Sequence, residues 1–172
     1  MAWLAGNHAT ECECWLKVRR GKPEGGCFSY LDAVEEALCF GWIDGHLKAF
    51  PELGTLQRFT PRRKGSSWSE LNKERARRLE RLGLMTDAGR AVLPPLGPHS
   101  FKMDPEIVAA LKSSRCWSAF RRFPPLYQRV RADNIQRVKS DRQEFDKRLA
   151  QLIKQTKQGK TYGDWNDSGR LL

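Results

Sequence analysis

The stretch YLDAVEEALCFGWIDGHLKAFPELGTLQRFT, residues 30–60, decides the fold. Its first part places Leu31, Val34 and Leu38 at helical spacing, with Ala33 and Ala37 beside them and Phe40 at the end. That period makes an amphipathic helix over Tyr30–Phe40. Gly41 follows, and a glycine just past a helix supplies the left-handed backbone that ends it. The pattern then changes. Trp42-Ile43-Asp44 reads as a strand, and HLKAFPELGTLQRFT reads as a hairpin with its turn at Pro51 to Gly54.

Working outward, Glu13 to Arg19 alternates as a further strand, and GKPEGGC (21–27) is a turn-rich loop. Strands near 14–19, 42–49 and 55–60 would form a small antiparallel sheet. Downstream, Pro61 holds Thr60 extended. Ser67, with Glu70 three residues on, predicts a capping box and a helix over Trp68 to Leu82, closed by Gly83. Thr86 can cap a short helix reaching Val92, and PPLGP (94–98) is a rigid connection.

The second half reads as helical. Asp104-Pro105-Glu106 is a start signal, with proline at the first helical position, for a helix to about Lys112. A short aromatic helix over Cys116 to Phe123 stops at Pro124-Pro125; helices over Leu126 to Lys139 and Asp141 to Lys157 follow. The tail KTYGDWNDSGRLL carries Tyr162, Trp165 and two terminal leucines, which argue for docking on the body. The expected class is α+β. An N-terminal region, 1–93, holds the small antiparallel sheet with helices. A helical region, 100–172, packs against it in one compact unit.

The totals narrow the function. A chain of 172 residues can bury about 70% of its unfolded surface, so it needs no disulfide or metal staple. No apolar run approaches the roughly 20 residues of a membrane span. MAWLAGNHATECECW has neither a basic segment nor a long apolar one, so no secretory signal is read and a cytoplasmic location is expected. The net charge of +11 suits an anionic partner, or simply solubility. Five cysteines, an odd number, argue for reduced thiols. Cys12 and Cys14 stand too close for a zinc knuckle; His8 and His46 could complete a four-ligand set in principle, but zinc sites normally show paired, spaced ligands, so neither metal nor cofactor is expected. Cys39, in the apolar run ALCF, reads as a small core residue.

Two constellations could carry chemistry. RFTPRRKGSSWSELN (58–72) combines a helix start, whose backbone N–H groups lack partners, with the hydroxyls of Ser66, Ser67 and Ser69. Arg62 and Arg63 add guanidinium forks, and Gly65 allows close approach. This is an anion-binding helix start, or else an ordinary capping box preceded by solvated bases. In FGWIDGH (40–46), Asp44 would approach Arg58 across the strand ladder, to stiffen the sheet or to orient a ligand. Trp42 and Trp68 would offer aromatic faces, or else fill the core.

The segments EEALCFGWIDG (35–45), RFTPRRKGSSWSELNKER (58–75), LGLMTDAG (82–89), FPPLYQRVR (123–131), KRLAQLIKQTK (147–157) and YGDWNDSGRLL (162–172) together resemble the YdeI/OmpD-associated, or bacteriocin-protection, family. The resemblance implies a link to protection against bacteriocins or antimicrobial peptides. It places Trp42, Asp44, Arg58, Pro61, Arg62, Arg63, Ser66, Trp68, Ser69 and Asn72 in the family signature.

The leading expectation is binding of a small anionic ligand, phosphorylated ligands included. Arg58, Arg62 and Arg63 would hold it with the Ser66–Ser69 helix start and Asn72; Trp42 or Trp68 would stack on it and Asp44 would orient an arginine. Protection would then be indirect, through stress signalling or metabolism. The alternatives are nucleic-acid binding and an uncharacterised enzyme. The first rests on segment 112–160, with 14 lysines and arginines against 4 acids and interleaved Trp117, Phe120, Phe123 and Tyr127. The second would use the same pocket, with Asp44, His46, Glu70 or a cysteine acting.

Overall fold

A computed structural model describes residues 2–19, 28–97 and 99–171. The turn-rich loop read at 21–27 lies outside them. The fold is α+β. It divides into two compact units: Met1–Ser67 with Arg75–Pro95, and Trp68–Glu74 with Leu96–Leu172. The sequence divides the chain only at the proline-rich connection and expects one compact body. The structure instead assigns residues 68–74 to the second unit.

In the first unit, α1 (Ala2–Asn7) precedes β1 (Cys14–Leu16), β2 (Val18–Arg19) and β3 (Phe28–Ser29). Then come α2 (Tyr30–Cys39), β4 (Trp42–Phe50) and β5 (Gly54–Pro61). The sheet is antiparallel in the order β1-β5-β4, with Trp42 opposite Pro61, Asp44 opposite Phe59, and Trp15 opposite Arg58. A bulge interrupts β4 between Asp44 and Leu47, where buried Gln57 donates from Nε2 to the Gly45 carbonyl at 2.8 Å. The strand read over 13–19 is in fact two pieces. Its second piece pairs in parallel with β3, and Phe28 N donates to the Lys17 carbonyl at 3.2 Å.

The period of α2 does what its sequence predicts: Val34, Leu38 and Cys39 are buried. Trp42 and Phe59 complete the inner layer, each such side chain stabilising by about 1.5–3 kcal/mol. Trp42 Nε1 donates to the His8 carbonyl at 3.2 Å, which ties the residues after α1 to this core.

After β5 comes α3 (Glu70–Arg81), then α4 (Asp87–Arg90), whose cap Thr86 accepts from Gly89 N at 3.3 Å. Gly41, at φ +74°, ends α2; a Cβ there would lie 2.8 Å from the Ala88 carbonyl oxygen. A Cβ on Gly89 would lie 2.3 Å from the Cys39 carbonyl oxygen. α4 therefore sits directly on the end of α2, and Thr86 Oγ1 donates to that same Cys39 carbonyl at 2.6 Å.

The second unit holds the first turn of α3 together with α5 (Pro105–Ser113), α6 (Trp117–Arg121), α7 (Pro125–Gln136) and α8 (Arg142–Lys157). Asp104 caps α5 by accepting from Glu106 N at 2.9 Å, and Asp141 caps α8 by accepting from Glu144 N at 3.0 Å. Ile107, Leu111, Phe120, Tyr127, Phe145 and Leu152 form the core, and Trp117 and Phe123 pack against it. The tail docks on this unit. Tyr162 and Trp165 pack on that core, and Leu171 is buried with Leu126 and Val130.

The start of α3 corrects the capping box read at Ser67 and Glu70. The helix begins two residues after Trp68, and its cap is Ser69, whose Oγ accepts from Asn72 N at 3.2 Å. Glu70 turns inward instead, 1% exposed, with its carboxylate 2.8 Å from Lys73 Nζ and 3.4 Å from Arg129 Nε. Asp133 Oδ2 accepts from Glu70 N at 2.9 Å.

Candidate functional site

The arginine-rich stretch is held by internal partners. Residues 58 and 59 of β5 face opposite sides of the sheet. Asp44 lies opposite Phe59, so Arg58 projects away from it. Arg58 meets Glu13 instead, through Nε and Nη2, each at 2.6 Å from Oε2. The Trp15 indole and then Arg58 hold the Glu13 carboxyl below its usual range. Asp44 accepts from the Tyr30 hydroxyl at 2.6 Å. The expected approach of Asp44 to Arg58 is thus replaced by two other pairs.

Arg62 is buried, and its Nη1 donates to Ser66 Oγ at 3.3 Å and to the Ser67 carbonyl at 3.1 Å. It shapes the turn around Gly65, while Arg63 and Ser67 are exposed. Trp42 is 1% exposed and Trp68 6%, so both rings are packed into their surroundings rather than presented to a ligand. Ser69 and Asn72 form the cap of α3. The helix start does hold an anion, but it is the protein's own Asp133 carboxylate. The partial positive charge of a helix N-terminus favours such a carboxylate as it would a phosphate.

The cavity of the first unit lies elsewhere. It is a cleft of about 520 Å³, within the usual range for small-molecule pockets. Its aromatic walls are Trp3 of α1, Trp15 of β1, Phe28 of β3 and Phe59 of β5. Trp3 packs edge-on against Trp42, with ring centroids 6.0 Å apart, yet stays 45% exposed; Phe28 is 59% exposed.

The remaining wall comes from α2. Asp32, Ala33, Glu36 and Ala37 face the cleft, two carboxylates one turn apart beside two alanines one turn apart. The alanines leave the volume that larger apolar residues would fill. Glu13, already paired with Arg58, adds a third carboxylate, and no lysine or arginine is among the described lining residues. Cys14 also lines the cleft. Burial, and then the Glu13 charge, push its thiol up, away from the thiolate a nucleophile needs.

None of these cleft residues belongs to the set singled out from the sequence. The available signal was DAVEEA (32–37), with its carboxylates and alanines each four apart.

In the helical unit, much of the basic surplus is paired. Arg129 meets Glu74 at 3.0 Å, Arg137 meets Asp133 at 2.9 Å, and Lys139 meets Asp104 at 2.6 Å. Arg142 bonds Glu106 and Asp146, and Arg148 meets Glu144 at 2.7 Å. Phe120 and Tyr127, read as interleaved with these bases, are fully buried. Among the described residues no group of three or more His, Cys, Asp or Glu is placed to hold a metal. No described helix is long and apolar enough to cross a membrane.

The model of a family described as "Domain of unknown function (DUF8412)" matches residues 1–92, more than half of the chain, and the chain belongs to that family. Every residue lining the cleft falls within the matched part. No curated protein and no solved structure matches the chain.

Proposed function

We propose that the protein is a binding protein whose first unit takes a small organic cation, a protonated or quaternary amine carried on an apolar or aromatic body. The observation that carries this reading is the make-up of the cleft: the exposed rings of Trp3 and Phe28 beside the carboxylates of Asp32 and Glu36, with no lysine or arginine among the described lining residues. Aromatic faces attract a cation through their quadrupole by about 0.5–2 kcal/mol, more as the site becomes drier. The exposed rings of Trp3 and Phe28 would be covered by the body of the ligand. Binding rather than covalent chemistry is the better reading, because burial keeps the Cys14 thiol protonated.

The resemblance to the bacteriocin-protection family gives this a biological direction. Protection would be indirect, through stress signalling or metabolism that responds to the bound ligand.

Benzyltrimethylammonium, titrated at low salt and followed by tryptophan fluorescence and calorimetry, tests the reading. It should bind saturably and at least about tenfold more tightly than its neutral carbon isostere, neopentylbenzene, a difference of about 1.4 kcal/mol. Asp32→Asn combined with Glu36→Gln should weaken the cation by a similar factor, with circular dichroism unchanged. Equal affinity for the cation and the neutral isostere would reduce the cleft to an apolar hole and end the proposal. Undiminished affinity in the double variant would end it too.

A further inference from the structure

The helical unit contains a second cavity of opposite character, about 260 Å³, between α7, α8 and the docked tail. α7 contributes Arg131 and Asn134, α8 contributes Lys147, Arg148 and Gln151, and the tail contributes Tyr162. No carboxylate is among the described lining residues. Glu144 stands beside the cavity, pairing with Arg148 at 2.7 Å and Lys147 at 3.5 Å. One carboxylate against three cations leaves the site positive.

Arg131 gives this cavity its meaning. Its Nε is buried and has no hydrogen-bond partner. A buried donor without an acceptor costs roughly 1–3 kcal/mol, more when charged, and native structures seldom keep one without a reason. The guanidinium is nonetheless held in place. It lies over the Tyr162 ring, 5.1 Å from the centroid, and against Gly163, where a Cβ would come within 2.8 Å of Nη1. Gly163 also stands at φ +70°, so the tail backbone is shaped to pass beside this side chain. Arg148 is fixed as well, because its Nη1 donates to the Asn134 carbonyl at 2.8 Å. Burial pushes the Tyr162 hydroxyl up, so it remains a protonated donor. Two guanidinium groups, an ammonium and two side-chain amides belong to the residues around the cavity.

From this geometry we infer a site for one phosphate group, as inorganic phosphate or as the head of a small phosphate monoester. Charged groups and amides surround a space too small for a nucleic-acid strand. Phosphate offers enough acceptor oxygens to engage Arg131 together with the Arg148 donors that Glu144 and the Asn134 carbonyl leave open. The site is independent of the cation cleft, with which it shares no residue.

Calorimetry at low salt with inorganic phosphate and with phenyl phosphate tests the inference and separates the two sources. Saturable binding of either supports it, and a preference for the ester assigns the remaining volume to the body of the ligand. Arg131→Gln should weaken binding at least about tenfold, the loss of one charge-assisted contact. Without phosphate, the same variant should be as stable as the parent or more so, because the unmatched donor has lost its charge. A purely structural arginine would show the reverse. Lys147→Gln, at a residue 79% exposed, leaves the fold alone and should weaken binding by a smaller factor. No saturable binding of either probe, or unchanged affinity in Arg131→Gln, overturns the inference. Neither result touches the cation titration, so the two proposals fail separately.

Discussion

Asp133→Ala probes the contact that takes the start of α3 away from an external ligand. The carboxylate is 7% exposed and accepts from Glu70 N at 2.9 Å and from Arg137 Nε at 2.9 Å. Losing a hydrogen bond to a charged group costs about 1.5–3 kcal/mol, and the vacated N–H of Glu70 stays buried. The missing charge at a helix N-terminus adds about 0.3–1 kcal/mol. Arg137 is a third exposed, so its pairing adds at most about 1 kcal/mol after screening. The total is roughly 2–5 kcal/mol. Asp133→Asn keeps an acceptor and loses only the charge, so it should cost about half as much.

Urea denaturation followed at 222 nm should show the order parent, Asn variant, Ala variant, with the slope unchanged. Sulfate should stabilise the Ala variant more than the parent, since the emptied helix start regains an anion site. An Ala variant within about 0.5 kcal/mol of the parent, the range of ordinary surface changes, would refute the assignment of the helix start to Asp133. So would a parent stabilised by sulfate as much as the variant.

Two further outcomes follow from the packing and the ion pairs. Gly89→Ala places a Cβ 2.3 Å from the Cys39 carbonyl oxygen and 2.5 Å from Met85 Sδ. Backbone must move, so a loss of about 1–3 kcal/mol is expected in thermal or urea melts, against near neutrality at Gly6, where nothing lies within 4 Å. The second concerns pH. Asp104 is held below the usual carboxylate range by Lys139 and then by the Glu106 N–H. A depressed carboxylate contributes stability above its unfolded pKa, near 3.9, and loses it as pH falls through the lower folded value. Stability measured downward from about pH 5 should therefore fall, and Asp104→Asn should flatten that limb; an unchanged limb in the variant would exclude Asp104 as a source.

What the sequence made legible was local. The α2 period, Gly41 as its stop, the hairpin turn, and the caps at Thr86, Asp104 and Asp141 all depend on neighbours within a few residues. Such signals survive without tertiary knowledge. The start of α3 was displaced because its decisive partner, Asp133, is 63 residues away and turns Glu70 from a capping residue into a buried ion. α1 carried too little: six residues, with no acidic first turn and no basic last turn. The parallel pair β2–β3, two residues on each side, is shorter than any alternation can show.

The same distinction explains the sites. RFTPRRKGSSWSELN looked like ligand chemistry because its charges had no visible partners in sequence. In space Glu13, 45 residues upstream, answers Arg58, and the 66–67 backbone and hydroxyl answer Arg62. Charge density along a chain therefore measures what must be matched, not what is left over. Arg131 inverts the case. FPPLYQRVR reads as a proline stop followed by the start of a helix, and only the docked tail, passing at Gly163, shows a guanidinium held firmly with one donor unmatched. The cleft is harder still, since Ala33 and Ala37 open it by lacking volume. A missing side chain has no periodic signature of its own. Matching in three dimensions, not prominence in sequence, decides which groups are left over: of the prominent arginines, Arg58 and Arg62 are bonded and Arg63 is exposed.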